Sequence, residues 1–316
     1  MPSVLPPALP EGATLGIVAP ASPPCEERLT RGLEALRERG FRLVLAPHLR
    51  DRYGHLAGAD VDRAADLHAM FADPAVDGVL CARGGNGASR LLPYLDFNLI
   101  RRHPKPFVGY SDVTTLLLAI WIRCEMPTFF APMVQPDFAR RLAPACWDAW
   151  WRLLSCSEPA GILHDLRCQT QATTLVSGTA EGVCMGGTLS LLAALLGTPF
   201  QPDLAGCVLF LEDIHEHPGR VERYLMQLRL AGLLDDVAGF LIGTTPYEAD
   251  EEERRWFLPV EQVYRDILVP LGKPLVYNFP IGHEPQPLSL PIGVRVQLDA
   301  DRRELAILEP AVRPRR

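Results

Sequence analysis

No stretch of this chain reaches 18 consecutive apolar residues, so a membrane-spanning helix is not expected. The N-terminus, MPSVLPPALPEG, has no basic region followed by an apolar core, so it does not read as a secretory signal and a cytoplasmic protein is expected. Positive charge is scarce too. There are 31 Lys and Arg against 38 Asp and Glu, a net charge of −7 with no basic block, which argues against nucleic-acid binding. Eight cysteines stand at 25, 81, 124, 146, 156, 168, 184 and 207 without one Cys-x-x-Cys pair. Several lie inside apolar runs such as VLCAR, GVCMG and GCVLF. Buried reduced thiols are expected, not a disulfide framework. Internal repeats and low-complexity runs are also missing.

What is present is a globular composition. Hydrophobic residues make up 48 % and charged residues 22 % of 316 residues, enough chain for one or two domains. The first half alternates strand and helix signals. Apolar runs at 13–20, 41–46, 76–82 and 106–110 read as strands. Periodic segments at 25–40, 60–72 and 112–124 read as helices between them. This order implies an α/β fold whose N-terminal domain is a doubly wound, mostly parallel sheet with helices on both faces. An amphipathic helix with Trp147, Trp150 and Trp151 closes that half at 144–154. Residues 155–178 are polar and aperiodic, and are expected to link domain 1–154 to a second domain at 179–316. There, helices are expected at 188–196, 219–234 and 253–271, and strands at 206–212, 237–243, 275–282 and 292–308, the last a hairpin around Asp299–Asp301. The C-terminal domain should therefore be a strand-richer mixed α/β unit.

Four segments carry groups able to do chemistry. In PKPFVGYSDVTT, Ser111 falls where a strand ends and a helix begins. Such a turn exposes a hydroxyl at the carboxyl edge of the sheet, beside helix amides able to hold an oxyanion. Ser111 serves there either as a nucleophile or as a helix cap. The hydrolase elbow G-x-S-x-G is not met, because position 113 is Val. The turn Arg83-Gly84-Gly85-Asn86-Gly87 also follows a strand, and lets backbone approach a ligand or simply reverses the chain. It matches neither the dinucleotide nor the P-loop pattern. In LEDIHEH, Glu212 ends an apolar strand and is placed to orient an imidazole. The rival reading is a metal site of His215, Glu216 and His217, although no H-E-x-x-H motif exists and Pro218 breaks a helix there. In FPIGHEP, His283 sits in a Gly/Pro turn after an apolar strand and is the best placed of the eight histidines for a general base. His48, His55, His68, His103 and His164 read as surface or helix-face residues.

Taken in order, these segments resemble the LD-carboxypeptidase family of serine peptidases, which includes the microcin C self-immunity peptidases. The resemblance runs through GIVAPAS at 16–22, DPAVDGVLCARGGNGASRLLPYLD at 73–96 and PKPFVGYSDVTTLLLAI at 104–120. It continues through MGGTLSLLAALLGTP at 185–199, LFLEDIHEHPGRVERYLMQLRLAG at 209–232 and PIGH at 280–283. It implies a nucleophile at Ser111, an acid at Glu212 and a base at His283, the serine in one domain and the Glu/His pair in the other. It implies oxyanion-hole amides at Asp112 and Gly85. Arg83 and Gly84 are candidate substrate contacts, Arg83 for a carboxylate or alternatively for a structural ion pair. The implied activity is release of a terminal D-amino acid from an L,D-linked cell-wall tetrapeptide, with no metal or organic cofactor, by a homodimer. The implied alternative is cleavage of a microcin C-like aminoacyl or peptidyl nucleotide. The chain departs from the family pattern at Phe130-Ala131, where a His-Gly is common, and at Asn86, Gly219 and Glu222-Arg223.

Overall fold

The computed structural model describes residues 4–163, 172–248 and 250–315. Its first half is built from β1 (Thr14–Val18), α1 (Glu26–Glu38), β2 (Arg42–Leu45), α2 (Asp60–Ala72), β3 (Gly78–Cys81), α3 (Phe97–Arg102), β4 (Phe107–Gly109), α4 (Thr114–Cys124), β5 (Thr128–Phe130) and α5 (Pro144–Ser155). Strands β2, β1, β3, β4 and β5 pair in parallel in that spatial order. Every residue of β1, β3, β4 and β5 is buried, which explains why they read as unbroken apolar runs: helices cover both faces. Helix α2 shows the matching logic. Asp60 and Asp62 occupy its first turn, favourable to the helix dipole, and Ala64, Leu67, Met70 and Phe71 form its buried stripe.

The second half adds β6 (Gly161–Ile162), β7 (Thr173–Val176), β8 (Thr179–Thr188), α6 (Leu189–Ala194), β9 (Val208–Glu212), α7 (Pro218–Leu230), β10 (Gly239–Ile242), α8 (Glu251–Trp256), α9 (Val260–Leu268), β11 (Leu275–Tyr277), β12 (Leu290–Ile292), β13 (Arg295–Asp299) and β14 (Glu304–Ile307). Its sheet runs β6-β14-β13-β8-β9-β10-β11-β7. The central pairs β8/β9, β9/β10 and β10/β11 are parallel and the flanks antiparallel, so this is the mixed, strand-richer layer expected.

Several local expectations give way. The segment read as a linker supplies β6 and β7, the two outer strands of the second sheet, while 164–171, with His164 and Cys168, lies outside the described residues. Edge strands this short carry too few residues to show a period. The helix expected over 188–196 is confined to α6, Leu189–Ala194, and Gly186 and Gly187 before it belong to the ten-residue β8. A Cβ on Gly186 would meet the Phe210 carbonyl of neighbouring β9, so the glycine lets the two strands approach. The helix expected over 253–271 divides into α8 and α9 because Pro259 caps the second at ψ 146°, outside helical space. The strand expected over 275–282 ends at Tyr277. Finally β12, inside the stretch assigned to the second domain, pairs antiparallel with β5 and forms the edge of the first sheet. That return crossing, with β8 running towards α4, brings the ends of β4, β9 and the Gly282 turn to one seam. Among the described residues, no helix is long and apolar enough to cross a membrane.

Candidate active site

Ser111 stands at the first position after β4 and Tyr110, at φ +63°. A β-carbon in the left-handed region is strained, and such strain clusters where a side chain must be aimed. Ser111–Val113 turn as a 3₁₀ segment into α4, so the strand–turn–helix elbow is present although the glycine of the hydrolase elbow is replaced by Val113. The room comes from another direction. A Cβ on Gly84 would lie 2.7 Å from Ser111 Cβ and 2.9 Å from its Oγ, so the Arg83–Gly87 turn packs its bare backbone on the serine. Asp112, whose amide opens the helical turn, is fastened by its side chain: Oδ2 accepts from the Ala88 amide at 2.7 Å. Burial pushes that carboxyl up to about 6. Gly85, at φ +122°, sits against Ser22, whose Oγ accepts from the Asn86 amide.

Glu212 and His283 arrive from the second sheet. Glu212 ends β9 and is fully buried. Its Oε2 accepts from His283 Nδ1 at 2.7 Å and from the His283 amide at 3.3 Å, while Oε1 accepts from Thr188 Oγ1 at 2.6 Å. His283 Nε2 then lies 3.0 Å from Ser111 Oγ. With Nδ1 donating to a carboxylate, Nε2 is left as the acceptor for a hydroxyl proton, which fixes the useful tautomer. Gly282, at φ +77°, is what allows the approach: a Cβ there would overlap the Glu212 carboxylate. Burial disfavours the imidazolium, but the charge and hydrogen bond of Glu212, with Asp213 and Asp137 behind it, outweigh burial and raise the His283 pKa.

Support comes from residues that sequence reasoning did not single out. Thr114 donates to Thr188 Oγ1 at 3.4 Å and accepts the Thr188 amide at 3.2 Å. The nucleophile helix is thereby tied to the acid of the other sheet. Tyr110 presents its ring edge-on to His283, centroids 5.2 Å apart. Its hydroxyl donates to Asp137 Oδ1 at 3.3 Å, and Asp137 Oδ2 accepts from the Met133 amide at 2.8 Å. Burial pushes Asp137 up to about 7. Phe130, standing where a histidine is common in the resembling family, is buried against Tyr110 and Phe210, with centroids 5.8 and 5.1 Å away. Tyr110 and Asp137 border a cleft of about 230 Å³ lined also by Ser111, His283, Gly84, Gly85, Arg83 and Arg28. The alternative metal site is not assembled. His217 accepts from the Gly219 amide as the cap of α7 and packs on Phe257 at 4.2 Å, Glu216 faces Arg220 at 3.4 Å, and His215 is exposed. Among the described residues no group of three or more His, Cys, Asp or Glu is arranged to hold a metal ion.

The sequence also matches the LD-carboxypeptidase N-terminal domain over residues 15–131 and the LD-carboxypeptidase C-terminal domain over residues 181–298. A probable murein peptide carboxypeptidase of Bacillus subtilis is 39 % identical over 307 residues, covering 97 % of this chain and 95 % of its own. Among solved structures, a muramoyltetrapeptide carboxypeptidase from Oxalobacter formigenes superposes with a TM-score of 0.81 at 28 % identity, over 96 % of this chain and 100 % of its own. The structure of MccF in complex with glutamyl sulfamoyl guanosine superposes with a TM-score of 0.87 at 25 % identity, over 98 % and 99 %.

Proposed function

Because the chain belongs to the LD-carboxypeptidase family, we propose that it is a serine carboxypeptidase that releases the terminal D-amino acid, D-alanine, from L,D-linked cell-wall tetrapeptides. The observation that carries this reading is the unbroken chain of hydrogen bonds from Ser111 Oγ through His283 to Glu212, at 3.0 and 2.7 Å. His283 Nε2 takes the Ser111 proton as Oγ attacks the scissile carbonyl. Glu212 holds the imidazole and stabilises the imidazolium. The amides of Asp112 and Gly85 stabilise the tetrahedral oxyanion. His283 then returns the proton to the departing amine, and water repeats the cycle on the acyl-enzyme. Arg83 and Gly84 face the substrate. The reaction as written uses no metal or organic cofactor. The setting is cytoplasmic and the assembly homodimeric, which light scattering of the purified chain tests.

The deciding experiment measures D-alanine release from a muropeptide tetrapeptide by mass spectrometry, with wild type, Ser111→Ala and added chelator side by side. Release that survives chelator and falls by about 10⁴-fold or more in the variant is the expected outcome. Persistence of release in the variant overturns the serine mechanism. The likeness to MccF favours one second reading, cleavage of an aminoacyl-sulfamoyl nucleoside. Turnover of such a conjugate with no turnover of the tetrapeptide would select it.

A further inference from the structure

The turn that backs Ser111 cannot hold itself. Gly84, Gly85 and Gly87 have no side chains, and Asn86 between them is exposed. Glycine has the freest backbone of any residue, so an amide aimed from such a turn needs ties from outside it. The structure supplies four. The Gly84 carbonyl accepts from the Ser22 amide at 3.4 Å, Ser22 Oγ accepts from the Asn86 amide at 3.1 Å, and Asp112 Oδ2 accepts from the Ala88 amide at 2.7 Å. The fourth tie is Arg63, in the first turn of α2, whose Nη1 donates to the Gly87 carbonyl at 3.0 Å. Among the described residues the Gly85 amide, bracketed by these ties, donates to no protein group, so it is left for a ligand oxygen.

Arg63 is the costly member of the four. It is only 2 % exposed, its Nη1 also donates to the Pro20 carbonyl, and its Nη2 donates to Asp60. Its Nε is buried with no partner among the described residues. Asp60 is shared with Arg90, in the segment that follows the turn, through bonds of 2.7 to 3.0 Å. Withdrawing a guanidinium from water offsets much of what one ion pair returns, so the buried pair is weak support for stability. The planar fork does what an apolar side chain cannot: it fixes the loop after β1, the start of α2 and the glycine turn at one point. Its charge also reaches the residue of the other oxyanion amide. Burial raises the Asp112 pKa, and the Ala88 amide and the Arg63 charge oppose that rise. We infer that Arg63 is a positioning residue for the hydrolysis: by holding the Gly87 carbonyl it keeps the Gly85 amide aimed at the oxyanion, and so acts in the transition state and not in substrate binding. This rests on the peptidase reading above.

Two measurements on the full chain test it. In the first, steady-state kinetics on the tetrapeptide compare wild type, Arg63→Lys and Arg63→Met. Loss of the fork should lower kcat about 10- to 100-fold and leave KM within about twofold, with the lysine more active than the methionine. Gly197→Ala, destabilised by its backbone alone, should keep both constants, which separates positioning from a general loss of stability. Asp60→Asn leaves Arg63 in place opposite a neutral partner, and should show the same split in smaller degree even where an Arg63 variant does not fold. In the second, amide hydrogen exchange needs no substrate. The Asn86 and Ala88 amides should exchange about tenfold faster in Arg63→Lys, or in Asp60→Asn in its stead, while β9 keeps its wild-type rates. Unchanged exchange in the turn overturns the inference, and so does a loosened turn with kcat intact or a loss confined to KM. If the turn loosens and even the wild type releases no D-alanine, the tether stands and the muropeptide reading is what fails.

Discussion

At the end of β4, Ser111 is half-exposed at φ +63° on a turn only three residues from α4. At the end of β9, Glu212 has no solvent exposure and accepts from Thr188 Oγ1, His283 Nδ1 and the His283 amide. The first sheet aims its group by backbone conformation and leaves the hydroxyl reachable. The second holds its group by burial and donors, and lets only the imidazole reach outward. The difference follows from the chemistry each must do. A nucleophile has to meet substrate, whereas a carboxylate orienting an imidazole is more effective away from water, where its charge is less screened. Burying that charge is tolerable only because both oxygens are hydrogen-bonded.

The comparison breaks most completely at Glu212 itself. Glu212→Gln keeps the shape and removes the charge, and it offers His283 an amide that can select the wrong tautomer. We expect kcat/KM to fall by roughly 10³- to 10⁴-fold with the protein still folded, read by peptide-release kinetics and circular dichroism. The pH profile should change with it. In the wild type, the working base is neutral His283, whose pKa is raised by Glu212 against the opposing pull of burial. The acid limb of kcat/KM therefore lies above the ordinary histidine value, and activity falls as pH drops through it. With Glu212 neutral, burial prevails and the limb should move down. A limb that stays in place would mean that Glu212 does not govern the imidazole. The linkage on stability has the matching sign: a raised folded-state pKa favours the fold at pH below the unfolded value, and that contribution is lost as pH rises through the folded one.

A smaller break acts through backbone. Gly282→Ala would put a methyl group into the Glu212 carboxylate and a β-carbon at φ +77°. We expect about 2–4 kcal/mol of lost stability and about a 10²-fold loss of kcat/KM, since a shift of His283 by an ångström suffices for that. Denaturant titration and kinetics read the two effects. Gly197→Ala is the control: it also has positive φ, at +73°, but nothing lies within 4 Å of the added carbon, so it should lower stability without touching kcat/KM. Equal kinetic effects at both positions would show that the strain, and not the contact with Glu212, matters.

The two halves were also unequally legible in the sequence. The first sheet could be read because its strands are buried on both faces and its helices carry clean stripes, so the position of Ser111 at a strand–helix turn followed from pattern alone. Its φ did not, because position 113 is Val and the space is supplied by Gly84 from another turn. In the second sheet, Glu212 and His283 were found as residues at the ends of apolar runs. Their pairing across 71 residues is tertiary and leaves no local period. Edge strands β6, β7 and β12 were illegible for a related reason. Two to four residues cannot show alternation, and Pro291, ordinarily a sign against a strand, is tolerated in β12 because that strand has one free edge. On a helical wheel Arg28 is one more exposed charge, and only the fold reveals that it lines the cleft with Ser111.

Thr188 offers the finest test of how the halves are joined. Its hydroxyl donates to Glu212 Oε1 at 2.6 Å and accepts from Thr114 at 3.4 Å, three residues beyond Ser111. Thr188→Val keeps the volume and the β-branched shape that suits the end of β8, and removes only the polar link. Glu212 Oε1 then has no donor in a dry site, a loss of about 1–3 kcal/mol of stability. The His283 contacts on Oε2 remain, so the carboxylate should stay close to its place and kcat/KM should drop by only about tenfold, with KM little changed. Thr114→Val leaves the bond from Thr188 to Glu212 intact and should therefore cost less in kcat/KM, while the buried Thr188 amide loses its acceptor and stability should fall by a similar amount, about 1–3 kcal/mol. If Thr114→Val instead matches Thr188→Val in activity, the acid is positioned by its tie to the nucleophile helix and not by the single donor on Oε1. Ser111 and Glu212 would then be held by one device spanning both sheets, and the contrast between an aimed nucleophile and a buried acid would no longer describe two independent solutions.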